Sequence, residues 1–181
     1  LMICLLIIPG LVLAAETKAV VKTSTNLAEN AKSAIMIEAS SGKVLFDKNS
    51  HEKLPPASMT KMMSMLLIVE AVEDGIISWD QKITVSENAS GMGGSQILLE
   101  TGEQMSVDDL FKGVAIMSGN DAVVALAEAV AGTEDEFVKM MNKRAKELGL
   151  KDSVFKNPHG LDDANHYSSA YDMSLIAKEL V

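Results

Sequence analysis

The chain has little cysteine, few aromatic side chains and a shortage of positive charge. Cys4 is its single cysteine, so no internal disulfide can form. Aromatic residues make up 4% of the 181 residues and hydrophobic residues 48%, which is typical of a globular protein and not of a disordered chain. The 16 basic residues face 25 acidic ones, for a net charge of −9. No nucleic-acid partner is expected, because a phosphate backbone requires a basic face.

The sequence also lacks the usual patterns for metals and phosphates. The histidines His51, His159 and His166 show no spacing typical of metal ligands. Residues 91–95 are rich in glycine, but no Gly-Lys-Ser or Gly-Lys-Thr follows them, so they do not form a phosphate loop. They are either a flexible connection or one wall of a cleft. We predict neither a metal nor a cofactor.

The first 15 residues carry no charge and end in Ala14-Ala15. An apolar run that ends in small residues predicts a secretory signal peptide and its cleavage site. The stretch is too short for a confident membrane span. It has no initiating methionine or basic leader, so we expect a partial signal; a short buried strand or helix is the alternative. Residues 16–32 are predicted to be a linker. The protein is therefore expected outside the cytoplasm.

A Ser-x-x-Lys pattern is the first candidate for chemistry. It occurs four times: Ser40/Lys43, Ser50/Lys53, Ser58/Lys61 and Ser153/Lys156. The other three fall in turn, loop or extended sequence, whereas Ser58 follows Pro55-Pro56 and opens a long run without a helix breaker. Three residues are about one helical turn, so the Ser58 hydroxyl and the Lys61 amine should share a face. The alternative is that Ser58 caps the helix and Lys61 extends to water.

The predicted helix after Ser58 is apolar on all sides, which is typical of a helix buried in a core. Lys61 would then lie in buried surroundings near the positive end of the helix dipole. Both effects favour the neutral amine, which is the form that a general base needs. The free N–H groups at a helix start also favour the negative charge that develops on an attacked carbonyl oxygen.

A second polar set, Ser118-Gly119-Asn120, lies between two predicted helices. Such a turn can point a hydroxyl and an amide into a cleft, where Ser118 could pass a proton and Asn120 could hold a substrate amide through its donor and acceptor. An ordinary helix break is the alternative. A hairpin over residues 34–47, a buried helix and then a mostly helical block predict an α+β fold with a helical subdomain.

The two sets together resemble the penicillin-recognising serine enzymes, whose signature is Ser-x-x-Lys, Ser-x-Asn and Lys-Thr-Gly. Further motifs in order make residues 33–181 similar to the D-alanyl-D-alanine carboxypeptidases, the low-molecular-mass penicillin-binding proteins. These motifs are Gly94-Ser95-Gln96, Leu148-Gly149-Leu150, Pro158-His159-Gly160-Leu161 and Tyr167-Ser168-Ser169-Ala170.

The resemblance implies that Ser58 is the acylated nucleophile and Lys61 its base. Ser118 would be the proton relay, and Asn120 a catalytic-centre residue that contacts substrate. Ser95 and His159 match family positions near the cleft and are candidates for substrate binding, although His159 serves equally well as a structural hydrogen-bonding residue. The implied substrate is a peptidoglycan stem peptide ending in D-Ala-D-Ala, and β-lactams would acylate the same serine.

The resemblance also implies a β-lactamase/transpeptidase-like α+β fold, with an antiparallel sheet flanked by helices. No Lys-Thr-Gly occurs in the chain. We expect that motif, the C-terminal strands and any C-terminal membrane anchor to lie beyond Val181, so that the chain by itself is inactive.

Three alternatives remain open. They are a serine β-lactamase, a peptidoglycan D,D-endopeptidase and a non-catalytic cell-wall binding homologue. The first is weakened by Gly119, because class A β-lactamases carry Ser-Asp-Asn there, and by the lack of a Glu-x-x-Leu-Asn motif.

Overall fold

A computed structural model describes residues 27–181 of the chain. The predicted signal peptide, residues 1–15, and most of the predicted linker, residues 16–32, lie outside the described residues. Within residues 27–181 the longest helix has 14 residues, and none of the helices there combines the length and apolar character needed to cross a bilayer.

The predicted hairpin is confirmed. Strands β1 (Ala34–Ile37) and β2 (Val44–Lys48) pair antiparallel. Their turn is organised by the Glu38 carboxylate, which accepts hydrogen bonds from the backbone N–H groups of Ser40 at 3.0 Å and Ser41 at 2.7 Å. Hydrogen bonds from Ser41 and Ser40 lower the pKa of Glu38 to about 2, because they favour its charged form.

The apolar helix forms the centre of the molecule. A 3₁₀ turn (Ala57–Thr60) leads into α1 (Lys61–Glu73), so Ser58 lies in the turn and not at the α-helical start that the sequence predicts. Helix α1 has no polar outer face because four other helices pack around it. Its buried residues are Lys61, Met63, Ser64, Leu66, Leu67, Ile68 and Ala71.

A second small sheet follows α1 in the chain. Strand β3 (Lys82–Thr84) pairs antiparallel with β4 (Gln104–Ser106), and the short helix α2 (Glu87–Ser90) lies between them in the chain. Within residues 27–181 the two sheets are separate, each with two strands. The predicted antiparallel pairing is present, and helix α1 lies between the two sheets in sequence.

The helical block consists of α3 (Val107–Met117), α4 (Asn120–Ala131), α5 (Glu134–Glu147) and α6 (Ala170–Leu180). Three of these helices begin with a hydroxyl that accepts a backbone N–H, the usual N-cap. The capping residues are Ser106, Thr133 and Ser169. Helix α4 is buried over its first eight residues, so it serves as the core against which α3, α5 and α2 pack.

Asp172 ties the last helix to the chain that precedes it. Its carboxylate is 1% exposed and accepts hydrogen bonds from the Asp152 backbone N–H at 2.8 Å and the Ser153 hydroxyl at 2.7 Å. The Ser153 hydroxyl also lies 2.7 Å from that of Ser168. A buried carboxylate with these donors fixes the position of α6 relative to residues 152–168.

We expect Asp172→Ala to lower the free energy of unfolding by about 2–3 kcal/mol, because two partly buried donors lose a buried charged acceptor. Asp108→Ala is the control, since Asp108 forms an exposed ion pair with Lys112 on α3 and such pairs contribute about 0–1 kcal/mol. Equilibrium urea unfolding measures both variants. Equal losses in the two variants would contradict the role given to Asp172.

Candidate active site

Ser58 and Lys61 lie side by side at the start of the central helix. The Lys61 Nζ atom is 3.3 Å from the Ser58 Oγ atom, and Lys61 is 3% exposed whereas Ser58 is accessible. Helix α1 has no side-chain cap. The alternative of a capping serine and a solvated lysine is therefore wrong.

The other three Ser-x-x-Lys patterns do not form such pairs. In each of them the serine hydroxyl donates to a carboxylate. Ser40 donates to Glu38, Ser50 to Asp47 and Ser153 to Asp172. Of the four patterns, only Ser58 lies within hydrogen-bond distance of its own lysine amine, which is the arrangement of an activated nucleophile.

The Lys61 amine has a second partner, the backbone carbonyl of His159, to which it donates at 2.8 Å. A neutral amine that gives one N–H to a carbonyl keeps its lone pair for the Ser58 hydroxyl proton. Burial lowers the pKa of Lys61 to about 8, as the sequence predicts, because the interior disfavours the ammonium form. The pair can therefore act as a nucleophile and its general base near neutral pH.

The turn of residues 157–161 holds this pair in place. The Ser64 hydroxyl, one helical turn after Lys61, donates to the Pro158 carbonyl at 2.7 Å. Gly160 has φ +89°, and a β-carbon there would lie 1.9 Å from the Ala57 carbonyl oxygen. Only glycine permits this approach, so the turn rests directly on the backbone that precedes Ser58.

The second predicted set lies where α3 passes into α4. Ser118 ends α3 in the left-handed region with φ +56°, and Asn120 begins α4. Asn120 is 3% exposed; its side-chain amide donates to the Gly93 carbonyl and its backbone N–H to the Ser95 carbonyl, both at 2.7 Å. Residues 91–95 therefore lie against Asn120, and their role as one wall of a cleft stays a prediction.

The Ser118 hydroxyl is buried and has no hydrogen-bond partner among residues 27–181. The predicted relay is therefore not hydrogen-bonded to Lys61 in this structure. Buried hydroxyls are normally paired, and an unpaired one at a candidate site is free to form a hydrogen bond with a ligand.

The two sets meet through Gly94 and Leu161. A β-carbon on Gly94 would lie 2.7 Å from the Asn120 amide nitrogen and 3.6 Å from a methyl carbon of Leu161. Leu161 belongs to the same turn as His159, which contacts Lys61. The structure thus connects Asn120, through Gly94 and Leu161, to the turn that contacts Lys61. That Ser118 and Asn120 share one catalytic centre with Ser58 and Lys61 stays a prediction.

Asp121 is a residue of this site that the sequence argument misses. Its carboxylate is 1% exposed and accepts the backbone N–H groups of Ile97, Leu99 and Ala122 at 2.8–3.1 Å. It thereby holds the loop after Ser95 against the start of α4. The sequence does not predict this role, because an acidic residue in the first turn of a helix is already explained by the helix dipole. The loop amides that Asp121 binds are more than 20 positions away in the chain.

Ser95 and His159 are placed near the site in different ways. Ser95 is exposed, and its carbonyl, not its hydroxyl, contacts Asn120. The His159 ring is buried: its Nδ1 accepts the Leu161 N–H at 3.1 Å, and its Nε2 lies 3.4 Å from Glu134 Oε1. Both ring nitrogens are engaged, so the structural alternative for His159 has direct support, and substrate binding by Ser95 and His159 stays a prediction.

A cleft of about 390 Å³ opens beside the contact between Gly160 and Ala57. It is lined by Pro55, Pro56, Ala57, Gly160, Leu161, Asp162, Asp163, Ala164 and His166. Ser58 is not part of this lining, so the cleft is adjacent to the candidate centre. Over residues 27–181 no three His, Cys, Asp or Glu side chains are grouped as metal ligands.

Comparison with known proteins decides the family. Residues 19–181 match the family described as D-alanyl-D-alanine carboxypeptidase. The chain belongs to this family. The resemblance seen in its motifs is thereby confirmed.

Two relatives show how far the likeness extends. The D-alanyl-D-alanine carboxypeptidase DacF of Bacillus subtilis is 60% identical over 160 residues, which are 88% of this chain and 41% of the relative. Penicillin binding protein 5 of Haemophilus influenzae superposes with a TM-score of 0.79 at 41% identity, over 82% of this chain and 44% of that one. The α+β transpeptidase-like fold is therefore confirmed, and the chain spans less than half the length of either relative.

A third relative was solved with an antibiotic. Penicillin-binding protein D2 of Listeria monocytogenes, in its ampicillin-bound form, superposes with a TM-score of 0.73 at 30% identity. The superposition covers 83% of this chain and 61% of that one.

We expect the Lys61 amine to titrate with a midpoint near pH 8, because burial lowers its pKa to about 8. Side-chain NMR of isotope-labelled lysine measures the midpoint. Lys112 is the control, because its hydrogen bond and ion pair with Asp108 raise its pKa above the usual value. A Lys61 midpoint above pH 10 would contradict the conclusion that burial lowers the pKa of this amine.

We expect Ser118→Ala to raise the free energy of unfolding by about 1 kcal/mol, because the variant removes a buried hydroxyl without a partner. Ser64→Ala is the matched control and should lower it by about 1 kcal/mol, since its hydroxyl bonds the Pro158 carbonyl. Urea unfolding separates the two. A loss in Ser118→Ala as large as in Ser64→Ala would show that the Ser118 hydroxyl is paired.

Proposed function

We propose that this chain supplies the nucleophile and base of a serine-type D-Ala-D-Ala carboxypeptidase. The observation that carries the proposal is the 3.3 Å approach of the Lys61 amine to the Ser58 hydroxyl, with an amine buried enough to lower its pKa to about 8. Membership of the D-alanyl-D-alanine carboxypeptidase family supports the substrate class, a peptidoglycan stem peptide that ends in D-Ala-D-Ala.

The proposed first step is acylation of Ser58. The Ser58 oxygen attacks the carbonyl carbon of the penultimate D-alanine while its proton passes to the Lys61 lone pair. N–H groups in the first turn of a helix attract negative charge, so the start of the helix favours the oxyanion of the tetrahedral intermediate. Collapse of the intermediate breaks the peptide bond and leaves an ester on Ser58.

The leaving amine of D-alanine must gain a proton before it departs. We assign this transfer to Ser118, whose hydroxyl is buried and unpaired within residues 27–181. The hydroxyl would give its proton to the amine and take the former Ser58 proton from the Lys61 ammonium group, which restores the neutral base. Asn120 would hold the substrate backbone, because its side chain lies beside residues 91–95 and its oxygen remains an acceptor. Water then hydrolyses the ester, with Lys61 as the base for the water proton.

A β-lactam should acylate the same serine. The support is the ampicillin-bound form of the Listeria monocytogenes relative. Since peptidoglycan lies outside the cytoplasm, we place the protein there, in agreement with the uncharged N-terminal residues of the sequence.

The experiment uses the full-length protein and two assays: release of D-alanine from a D-Ala-D-Ala pentapeptide, and labelling by a fluorescent penicillin. Ser58→Ala should lose both activities. Ser40→Ala, from another Ser-x-x-Lys pattern, should keep both. Lys61→Ala should lose acylation while it stays folded by circular dichroism.

In the wild-type protein the labelling rate should rise about tenfold per pH unit from pH 6 and level off near pH 8, because the neutral Lys61 amine is the base and its pKa is about 8. The sign follows from protonation: below that pKa the amine is an ammonium group and cannot accept the proton.

Other outcomes separate the alternatives. Rapid turnover of penicillin would indicate a β-lactamase, and cleavage of cross-linked dimers without release of D-alanine an endopeptidase. A full-length protein that never forms a Ser58 adduct would be a binding homologue, and the proposal would be wrong.

A further inference from the structure

The Lys61 amine is positioned by a turn that has its own anchor. The His159 carbonyl takes an N–H of Lys61 at 2.8 Å. The ring of the same residue is buried, with 7% of its side chain exposed. Whatever fixes this ring therefore also limits where the carbonyl can lie, because ring and carbonyl share one α-carbon.

The hydrogen bonds assign the tautomer of His159. The Leu161 N–H donates to Nδ1 at 3.1 Å, so Nδ1 carries no proton and the ring N–H is on Nε2. That N–H faces Glu134, whose Oε1 lies 3.4 Å away. At 3.4 Å the contact is longer than the usual N–H···O hydrogen bond of about 2.7–3.2 Å, so the carboxylate attracts the ring N–H without a short hydrogen bond in this structure.

Glu134 is itself held in place. It is the first residue of α5, and its Oε2 accepts from the Asn88 amide of α2 at 3.3 Å. The same Asn88 amide donates to Glu128 of α4 at 2.9 Å. The neighbouring His159 ring holds the pKa of Glu134 below its usual range, so the carboxylate is ionised at neutral pH.

We propose that Glu134 is a positioning residue for Lys61. Its carboxylate attracts the Nε2–H group of His159, which holds the ring and with it the turn of residues 157–161, and so keeps the His159 carbonyl on the Lys61 amine. Glu134 touches neither Ser58 nor Lys61 in hydrogen-bond contact, and its effect on the base passes entirely through His159. This inference rests on the proposed function only where acylation is the readout.

The physical reason is the cost of an unpaired N–H in a buried place. Without Glu134 the ring N–H of His159 would have no acceptor there, so the ring would turn towards water and the attached peptide would move with it. Small displacements of a catalytic base slow a reaction by large factors. Movement of the turn also exposes Lys61 to solvent and so weakens the desolvation that lowers its pKa.

The test compares Glu134→Ala, Glu134→Gln and the control Glu128→Ala in the full-length protein. Glu128→Ala removes the other carboxylate bound by Asn88 but leaves the His159 contact intact. Labelling by a fluorescent penicillin is resolved into the dissociation constant of the first complex, the acylation rate constant and the fraction of protein labelled at saturation.

For Glu134→Ala we expect an acylation rate constant about tenfold lower, a dissociation constant within about twofold, and full labelling at saturation. Glu134→Gln keeps an oxygen acceptor for Nε2 and should return the rate constant to within about threefold of wild type. Glu128→Ala should match the wild type. In addition, the NMR midpoint of Lys61 should rise above its value of about 8 in Glu134→Ala and not in Glu128→Ala, because the displaced turn leaves the amine more solvated.

Several results would overturn the proposal. They are an unchanged acylation rate constant in Glu134→Ala, a lower labelled fraction with an unchanged rate constant, and an equal loss in Glu128→Ala. The NMR titration involves no chemistry: if the wild type fails to label, the proposed function is wrong, and the Lys61 midpoint still decides the role of Glu134.

Discussion

The candidate site depends on one buried amine held between a hydroxyl and a carbonyl. Lys61 begins an apolar helix, and its hydrogen-bond partners among residues 27–181 are Ser58 and the carbonyl of His159. Burial makes the amine easier to deprotonate, and the carbonyl occupies one N–H so that the lone pair can face the serine. Other features of the site, from the close approach of Gly160 to the bond between Ser64 and Pro158, maintain this geometry.

Much of this was accessible from sequence because it is local. The hairpin followed from alternation and a Ser-Ser-Gly turn, and the central helix from an apolar run after two prolines. The side-by-side placement of Ser58 and Lys61 needed only helical spacing. The lowered pKa of Lys61 could be predicted because its helix has no polar face. The predicted start of the helix was less accurate, because a 3₁₀ turn with a positive φ at Ala57 precedes the α-helix.

The contacts between distant segments could not be predicted from the sequence. Asp121 binds loop amides more than 20 positions upstream, and Lys61 donates to a carbonyl 98 positions downstream. A backbone carbonyl has no residue-type signature, so no motif marks it. His159 is the clearest example. Its side chain made it a candidate in the sequence, whereas the atom that contacts Lys61 is its backbone carbonyl oxygen.

The long separation between Lys61 and the turn that receives it has a consequence for when the protein becomes reactive. A ribosome makes the Ser58 segment well before the turn of residues 157–161, and contacts between such distant segments form late in folding. Until that turn docks, the amine is solvated and fully protonated at neutral pH, and the serine is an ordinary alcohol. Under the proposed function, the growing chain would therefore carry no activated Ser58 during synthesis, and the nucleophile would form only after the turn of residues 157–161 has docked.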